Sequence, residues 1–240
     1  MKQKVIFLYD RTGLMAEPWL RAGYECWLFD GQHPDGVTRD GNLVKVGMWF
    51  YPDRVQEHAA AIAALVGPGV KLVFGFPECT DLTVAGARHW QAKALVNPRF
   101  QQDAADLASL PRLVGELCGA AWAYENPIGR LSTLHRKPDF IFDPCEFGGY
   151  LPEGDVHPLY PEVYPPRDAY NKRTCIWCGG GFVEPTRKPV PPLSADNPGW
   201  RKCGGKSLKT KNIRSATPRG FALAVFADNA SEAAAAALAA

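Results

Sequence analysis

Long apolar runs are missing from this sequence: nothing in its 240 residues approaches the length of a membrane-spanning helix. A leader is missing too. Met1-Lys2-Gln3-Lys4 runs directly into Val5-Ile6-Phe7-Leu8-Tyr9, so a cytoplasmic location without a membrane partner is expected. The seven cysteines (26, 79, 118, 145, 175, 178 and 203) are odd in number, which favours free thiols over a disulfide framework. Paired metal-ligand spacing is lacking. Cys175-Ile176-Trp177-Cys178 supplies two thiols, but Cys145, His157 and Cys203 stand apart from one another, so no metal is expected. Neither charge is in excess, with 27 bases against 25 acids and a net charge of +2. Hydrophobic residues at 46% and charged residues at 22% exclude a disordered or fibrous chain and leave an ordinary globular one.

Charge is nonetheless unevenly spread. Asp139 to Asp168 holds seven acids and one base, whereas Arg201 to Arg219 holds seven bases and no acid. A basic run of that kind is the footprint of phosphate contact, with a solvated surface loop as the alternative.

The chain alternates apolar runs with amphipathic stretches over its first half. Strands are expected at 5–9, 25–29, 42–50, 70–76 and 120–124, with helices at 16–23, 53–65, 82–95 and 100–118, the last interrupted at Pro111. That alternation predicts an α/β fold, a Rossmann-like parallel sheet with helices on both faces. It places the α/β core at 1–126. A Pro/Gly-rich irregular region follows at 127–217, containing a hairpin or edge pair at 173–183. A C-terminal helix at 218–230 returns to the core, and 231–240 is an Ala-rich tail.

In such a sheet ligands gather beyond the carboxyl ends of the strands. Asp10, Asp30, Cys79 and Glu125 all fall at predicted strand ends of that kind. Cys79 in Phe76-Pro77-Glu78-Cys79-Thr80 would sit at a helix start, where the helix dipole favours a thiolate; a small buried hydrophobe is the alternative. Glu78 beside it opposes the thiolate unless its carboxylate points away. Glu125-Asn126-Pro127 ends the next strand, where a partly desolvated Glu can stay protonated and act as an acid. A thiolate and a carboxylic acid at one edge suit attack on a pyrimidine ring. Asp10-Arg11-Thr12-Gly13 offers a turn that lets backbone approach a nucleoside-like ligand, and Asp30 an acceptor for ribose hydroxyls.

Together these segments resemble the small, phage-type DNA cytosine C5 methyltransferase family. The likeness runs through Asp10 to Met15 with Pro18-Trp19, Phe76 to Thr80 with Ala85 to Arg88, Glu125-Asn126-Pro127 with Leu131-Ser132-Thr133, Arg136 to Asp139, Lys172 to Trp177, and Thr217 to Phe221. The resemblance implies a class I, S-adenosylmethionine-dependent methyltransferase sheet, with a substrate-recognition region after the core. It implies that Cys79 is the nucleophile at cytosine C6, Glu125 the acid at N3 and Arg173 the basic residue near O2. Asn126 and Pro127 shape the base pocket. It implies that Asp10, Thr12, Gly13, Asp30, Phe76 and Pro77 form the donor's site; the basic run, independently, makes Lys206, Lys209 and Lys211 the expected DNA contacts.

Three departures bear on this. Glu78 stands where the family has Pro, and Cys175 where larger members have a second Arg. Only about 40 residues separate Arg173 from Thr217, which leaves little chain for sequence-specific readout. DNA is the expected substrate. The same chemistry on a free cytosine nucleotide, or a silent nucleic-acid binder of this fold, stays open.

Overall fold

The apolar run at the N-terminus becomes an inner strand of a seven-stranded sheet in a computed structural model, which describes residues 2–193, 195–205 and 207–239. In chain order the elements are β1 (Lys4–Leu8), α1 (Glu17–Arg21), β2 (Glu25–Asp40), β3 (Leu43–Gly47), α2 (Val55–Val66), β4 (Val70–Gly75), α3 (Trp90–Val96), α4 (Phe100–Ala108) and α5 (Leu110–Cys118). Then come β5 (Ala121–Pro127), α6 (Leu131–Leu134), β6 (Phe140–Phe142), β7 (Thr174–Gly179), α7 (Pro198–Lys202), α8 (Leu208–Arg214), α9 (Arg219–Asn229) and α10 (Glu232–Ala239).

The sheet order is β3-β2-β1-β4-β5-β7-β6. β1 pairs in parallel with both β2 and β4, β4 pairs in parallel with β5, and β7 runs antiparallel to β5. This is a mostly parallel α/β sheet, compatible with a Rossmann-like fold. Its order reverses between β1 and β4, and such a reversal opens a crevice at the strands' carboxyl ends.

Two compact units share the chain. The first comprises 1–11, 24–141 and 174–182; the second comprises 12–23, 142–173 and 183–240. In the first, Ile6, Phe29, Val46 and Val73 from the strands form one apolar cluster with Ile62 of α2 and Val114 of α5. The fit is close where α5 crosses β4: a Cβ at Gly75 would lie 2.2 Å from the Pro111 ring. In the second unit α9 is the organising element. Its Phe221 stacks on Phe142 at 4.2 Å between ring centres, and its Phe226 meets Trp19 of α1 edge-on at 5.1 Å. Such pairs contribute about 0.5–1.5 kcal/mol beyond their buried area. A Cβ on Gly220 would lie 2.4 Å from the Phe147 carbonyl, so α9 packs backbone against backbone there.

Several expected elements differ. The polar stretch before β3, read as a loop, contains a second arm of β2: residues 35–40 run back along β3, with Thr38 level with Lys45 and Asp40 with Leu43. The expected helix at 82–95 is a 3-10 helix at Val84–His89 followed by α3. The helix at 100–118 breaks at Ser109, not at Pro111, which sits in the first turn of α5 where its missing N–H is harmless. The segment at 173–183 forms no hairpin. β7 lies between β5 and β6, away from the sheet edge. The region read as irregular also holds α6, β6, α7 and α8.

Candidate active site at the strand ends

β4 and β5 run level, Gly75 beside Tyr124, so the residues that follow each leave the sheet at the same edge. After Gly75 the chain goes through Phe76-Pro77-Glu78-Cys79 without helix or strand. The Phe76 N–H still bonds the Leu8 carbonyl of β1 at 3.0 Å, which holds the start of this loop against the sheet. Cys79 is half-buried and is not in a disulfide. Its own carbonyl accepts the Leu82 and Thr83 N–H groups at 3.0 and 2.9 Å, closing the loop into a tight turn.

Three contacts tie that loop to the end of β5. The Asn126 side chain, fully buried, donates Nδ2 to the Pro77 carbonyl at 3.2 Å. The Arg130 N–H bonds the Leu82 carbonyl at 2.8 Å, and Thr83 forms a bridge with Gly129. Gly129 approaches so closely that a Cβ there would lie 2.1 Å from the Leu82 carbonyl oxygen. Glu125, half-buried and adjacent to Asn126, is thereby fixed on the strand whose next residue holds the Cys79 loop. Asn126 was expected to shape a pocket; Gly129 and Arg130 were not foreseen. Their only sequence signal is a glycine two residues beyond a strand-ending proline.

Glu78 is exposed, and its carboxylate accepts the Thr80 hydroxyl at 2.7 Å. The expected helix dipole is not there: the α-helix begins only at Trp90, so no helix N-terminus supports a thiolate at Cys79. Other thiols are set apart by burial, which raises Cys26, Cys118 and Cys145 above the ordinary range and keeps them protonated.

Just beyond β1, and at the bend that ends the first arm of β2, stand two carboxylates. Asp10 is buried, next to Tyr9, whose φ of 60° is left-handed although Tyr has a Cβ. The Tyr9 hydroxyl donates to the Leu107 carbonyl at 2.8 Å and its N–H bonds the Phe29 carbonyl at 2.7 Å, bonds that hold this strained turn. Asp30 does not close its strand as expected: β2 continues to Asp40, and the half-buried Asp30 stands where its first arm bends, accepting the Gln32 N–H at 2.7 Å. Phe76 is half-buried beside Phe74, ring centres 5.1 Å apart, and Pro77 is buried. The first unit thus brings Asp10, Asp30, Phe76, Pro77, Cys79, Glu125, Asn126 and Pro127 to one set of strand ends.

The remaining expected residues lie in the second unit. Arg173 is exposed just before β7. Thr12 and Gly13 begin the turn into α1, with Gly13 left-handed at φ 73° and the Thr12 hydroxyl accepting the Leu14 N–H at 3.4 Å. Lys209 and Lys211 are exposed on α8, and Lys206 lies outside the described residues. The seven-base run is not a uniform surface, because three of its bases are bound internally. Arg219 pairs with Asp155, Arg214 covers the Trp200 ring at 4.7 Å, and Lys202 donates to the Glu162 carbonyl at 2.7 Å. Cys175 and Cys178 fall on opposite faces of β7, as an odd spacing on a strand requires. No group of His, Cys, Asp or Glu among the described residues could hold a metal ion. No protein-family model matches the sequence, and comparison with curated proteins returns no match.

Proposed function

We propose that this chain transfers a methyl group from S-adenosylmethionine to C5 of cytosine in DNA, through a covalent adduct with Cys79. The observation that carries this reading is the Asn126–Pro77 hydrogen bond, which ties the thiol-bearing loop to the strand end bearing Glu125. A nucleophile and an acid on two tethered, level strand ends are what addition to a pyrimidine requires. The mostly parallel sheet, compatible with a Rossmann-like fold, suits the class I methyltransferase assignment drawn from the sequence.

The residues present fit the methyl donor. Asp10 beyond β1 and Asp30 at the end of the first arm of β2 put carboxylates on neighbouring strands, suited to ribose hydroxyls and to the positive charge of a sulfonium, and Phe76 adds an apolar surface. When bound, S-adenosylmethionine supplies an electrophilic methyl group for the activated C5. The Cys79 thiol first loses its proton to solvent; the thiolate then adds to C6 while the Glu125 carboxyl gives its proton to N3, which leaves a neutral enamine with its electron density at C5. Once C5 is methylated, loss of its proton to a base expels the Cys79 sulfur from C6, and N3 returns its proton to Glu125. In a duplex the base must leave the stack to reach this thiol.

One observation favours a second substrate, a free cytosine nucleotide: Lys202, Arg214 and Arg219 are bound internally, which thins the basic run expected to hold DNA. Labelled donor incubated with duplex DNA and, in parallel, with dCMP separates the two. The expected product is labelled 5-methylcytosine in DNA, with Cys79→Ser lowering the rate by several orders of magnitude. Transfer to neither substrate, or near-normal transfer by the Ser variant, overturns the mechanism.

A further inference from the structure

The doubled-back arm of β2 builds a cleft that the methyl-transfer reading does not use. Its volume is about 340 Å³, and Arg11, His33, Thr38, Arg39, Leu43 and Lys45 contribute to its lining. That is a size at the lower end for small-molecule sites. Three cationic side chains line it against one carboxylate, Asp40. Arg39 is held by Glu25 at 2.8 Å and lies over the Trp27 ring at 5.6 Å, so its charge is partly answered. Arg11 and Lys45 make no ion pair or side-chain hydrogen bond among the described residues. Both cations bear on the same point. Burial holds the His33 imidazole below its ordinary range, and Lys45 and Arg11 add to that, against the Asp10 carbonyl and Asp30.

The walls are fixed rather than loose. A Cβ on Gly47 would lie 2.2 Å from the Pro34 carbonyl oxygen, so the turn at 33–34 rests directly on β3. The His33 ring bonds the Asp10 carbonyl through Nε2 at 3.0 Å, and the Thr38 hydroxyl donates to the Lys45 carbonyl at 3.4 Å. A net-positive cleft attracts an anion: Arg11 and Arg39 are exposed at its mouth and Lys45 is half-buried, and the contacts around them place these charges before the ligand arrives. It does not suit the methyl donor, whose sulfonium carries like charge, and neither Asp10 nor Asp30 lines it.

We propose that this cleft is a phosphate-binding site, with Arg11 and Lys45 as its principal contacts. The phosphate belongs either to the backbone of DNA or to a free nucleotide. The inference needs no methyl transfer, so it stands or falls apart from the reaction above.

Titration calorimetry of the full chain, without methyl donor, tests it with inorganic phosphate, dCMP and a short duplex as probes. Arg11→Gln with Lys45→Gln should weaken phosphate at least about tenfold, as loss of charge-assisted hydrogen bonds implies. Lys71→Gln, an exposed base outside the cleft, should leave it unchanged. A parallel loss for the duplex, with a salt slope shallower by about 1–2, assigns the site to the DNA backbone. A loss for dCMP with duplex binding unaltered assigns it to a nucleotide. Absent phosphate binding by the wild type, or equal affinity in a double variant of unchanged far-ultraviolet circular dichroism, overturns the proposal.

Discussion

Asn126 carries more of the site than any other single side chain, because it joins two loops that the sequence separates by 49 positions. Its Nδ2 serves the Pro77 carbonyl, while its Oδ1 is buried without a hydrogen-bond partner among the described residues. The two ends therefore work against each other in stability. Removing both, in Asn126→Ala, leaves the Pro77 carbonyl unserved but also deletes the orphaned oxygen, so the expected loss is only about 1–2 kcal/mol. Asn126→Asp is the sharper substitution. It replaces the donor with a second acceptor facing a carbonyl in a buried place, and its loss should exceed that of Ala, at about 3 kcal/mol or more at neutral pH. Urea unfolding of the three proteins gives the order directly. An Asp variant as stable as the wild type would mean that the side chain does not donate to Pro77.

Among the elements, the loops after β4 and β5 form one connected structure, and Gly129 is the place where they touch most closely. Its missing Cβ matters through space rather than through backbone angles, since the Leu82 carbonyl oxygen would lie 2.1 Å away. Neither partner is a flexible side-chain end, so Gly129→Ala must push backbone apart. The bridge to Thr83 and the Arg130–Leu82 bond should weaken together, with a stability loss of about 1–3 kcal/mol. Gly154→Ala is the control, because a Cβ there meets nothing within 4 Å. If the two alanine variants unfold at the same urea concentration, the close approach is not real. These contacts also show why the element level was only partly legible. β1, β4 and β5 are buried on both faces and read as continuous apolar runs. The second arm of β2 is fully exposed from 35 to 40 and carries Gly36 in a left-handed turn, so its one apolar residue, Val37, gives no alternation that marks it as a strand. α3 fails differently. The stretch at 84–89 has helical residues, but its turns tighten to 3-10 next to the Cys79 loop.

For the molecule as a whole, a sequence shows which residues end strands but not what each strand end touches. Expecting Asp10, Asp30, Cys79 and Glu125 at one edge needed only apolar periodicity and the logic of a parallel sheet, but the strand expected to close at Asp30 bends there and runs on to Asp40. The contacts that order the edge, Asn126 with Pro77 and Gly129 with Leu82, pair residues far apart in the chain and had no local signature. The second unit was the least legible, since its packing includes a buried polar cluster with no local signature. Asp155 pairs with Arg219 and accepts the Arg167 N–H at 2.9 Å, and Asp168 accepts the Gly220 N–H at 2.8 Å. That cluster predicts a pH signature. Burial drives the Asp168 carboxyl up from 3.8 to about 6, against the Gly220 N–H and the Arg219 charge. Between those values the folded chain holds a proton that the unfolded chain has lost, so Asp168 adds stability as pH falls through about 6 to 4. His157 acts in the opposite sense. Burial, and then Arg219, lower it from 6.5 to about 4, against Asp155, and its Nδ1 accepts the Leu159 and Tyr160 N–H groups, which an imidazolium cannot do. The unfolded chain takes that proton first, so His157 costs stability as pH falls from about 6.5 to 4. His33, His58 and His135, each lowered chiefly by burial, add to the same loss. Asp155, held below its ordinary range by Arg219 against the effect of its own burial, titrates beneath this window. Asp168→Asn removes the one group here that resists the decline. Its unfolding free energy relative to wild type should be lowest below about pH 4 and rise by up to about 3 kcal/mol to a plateau above pH 6. Any amide hydrogen left unpaired by the substitution shifts the whole difference curve without changing its shape. Urea unfolding of both proteins at half-unit steps of pH gives that curve, and a flat one would place the Asp168 proton outside the folding equilibrium.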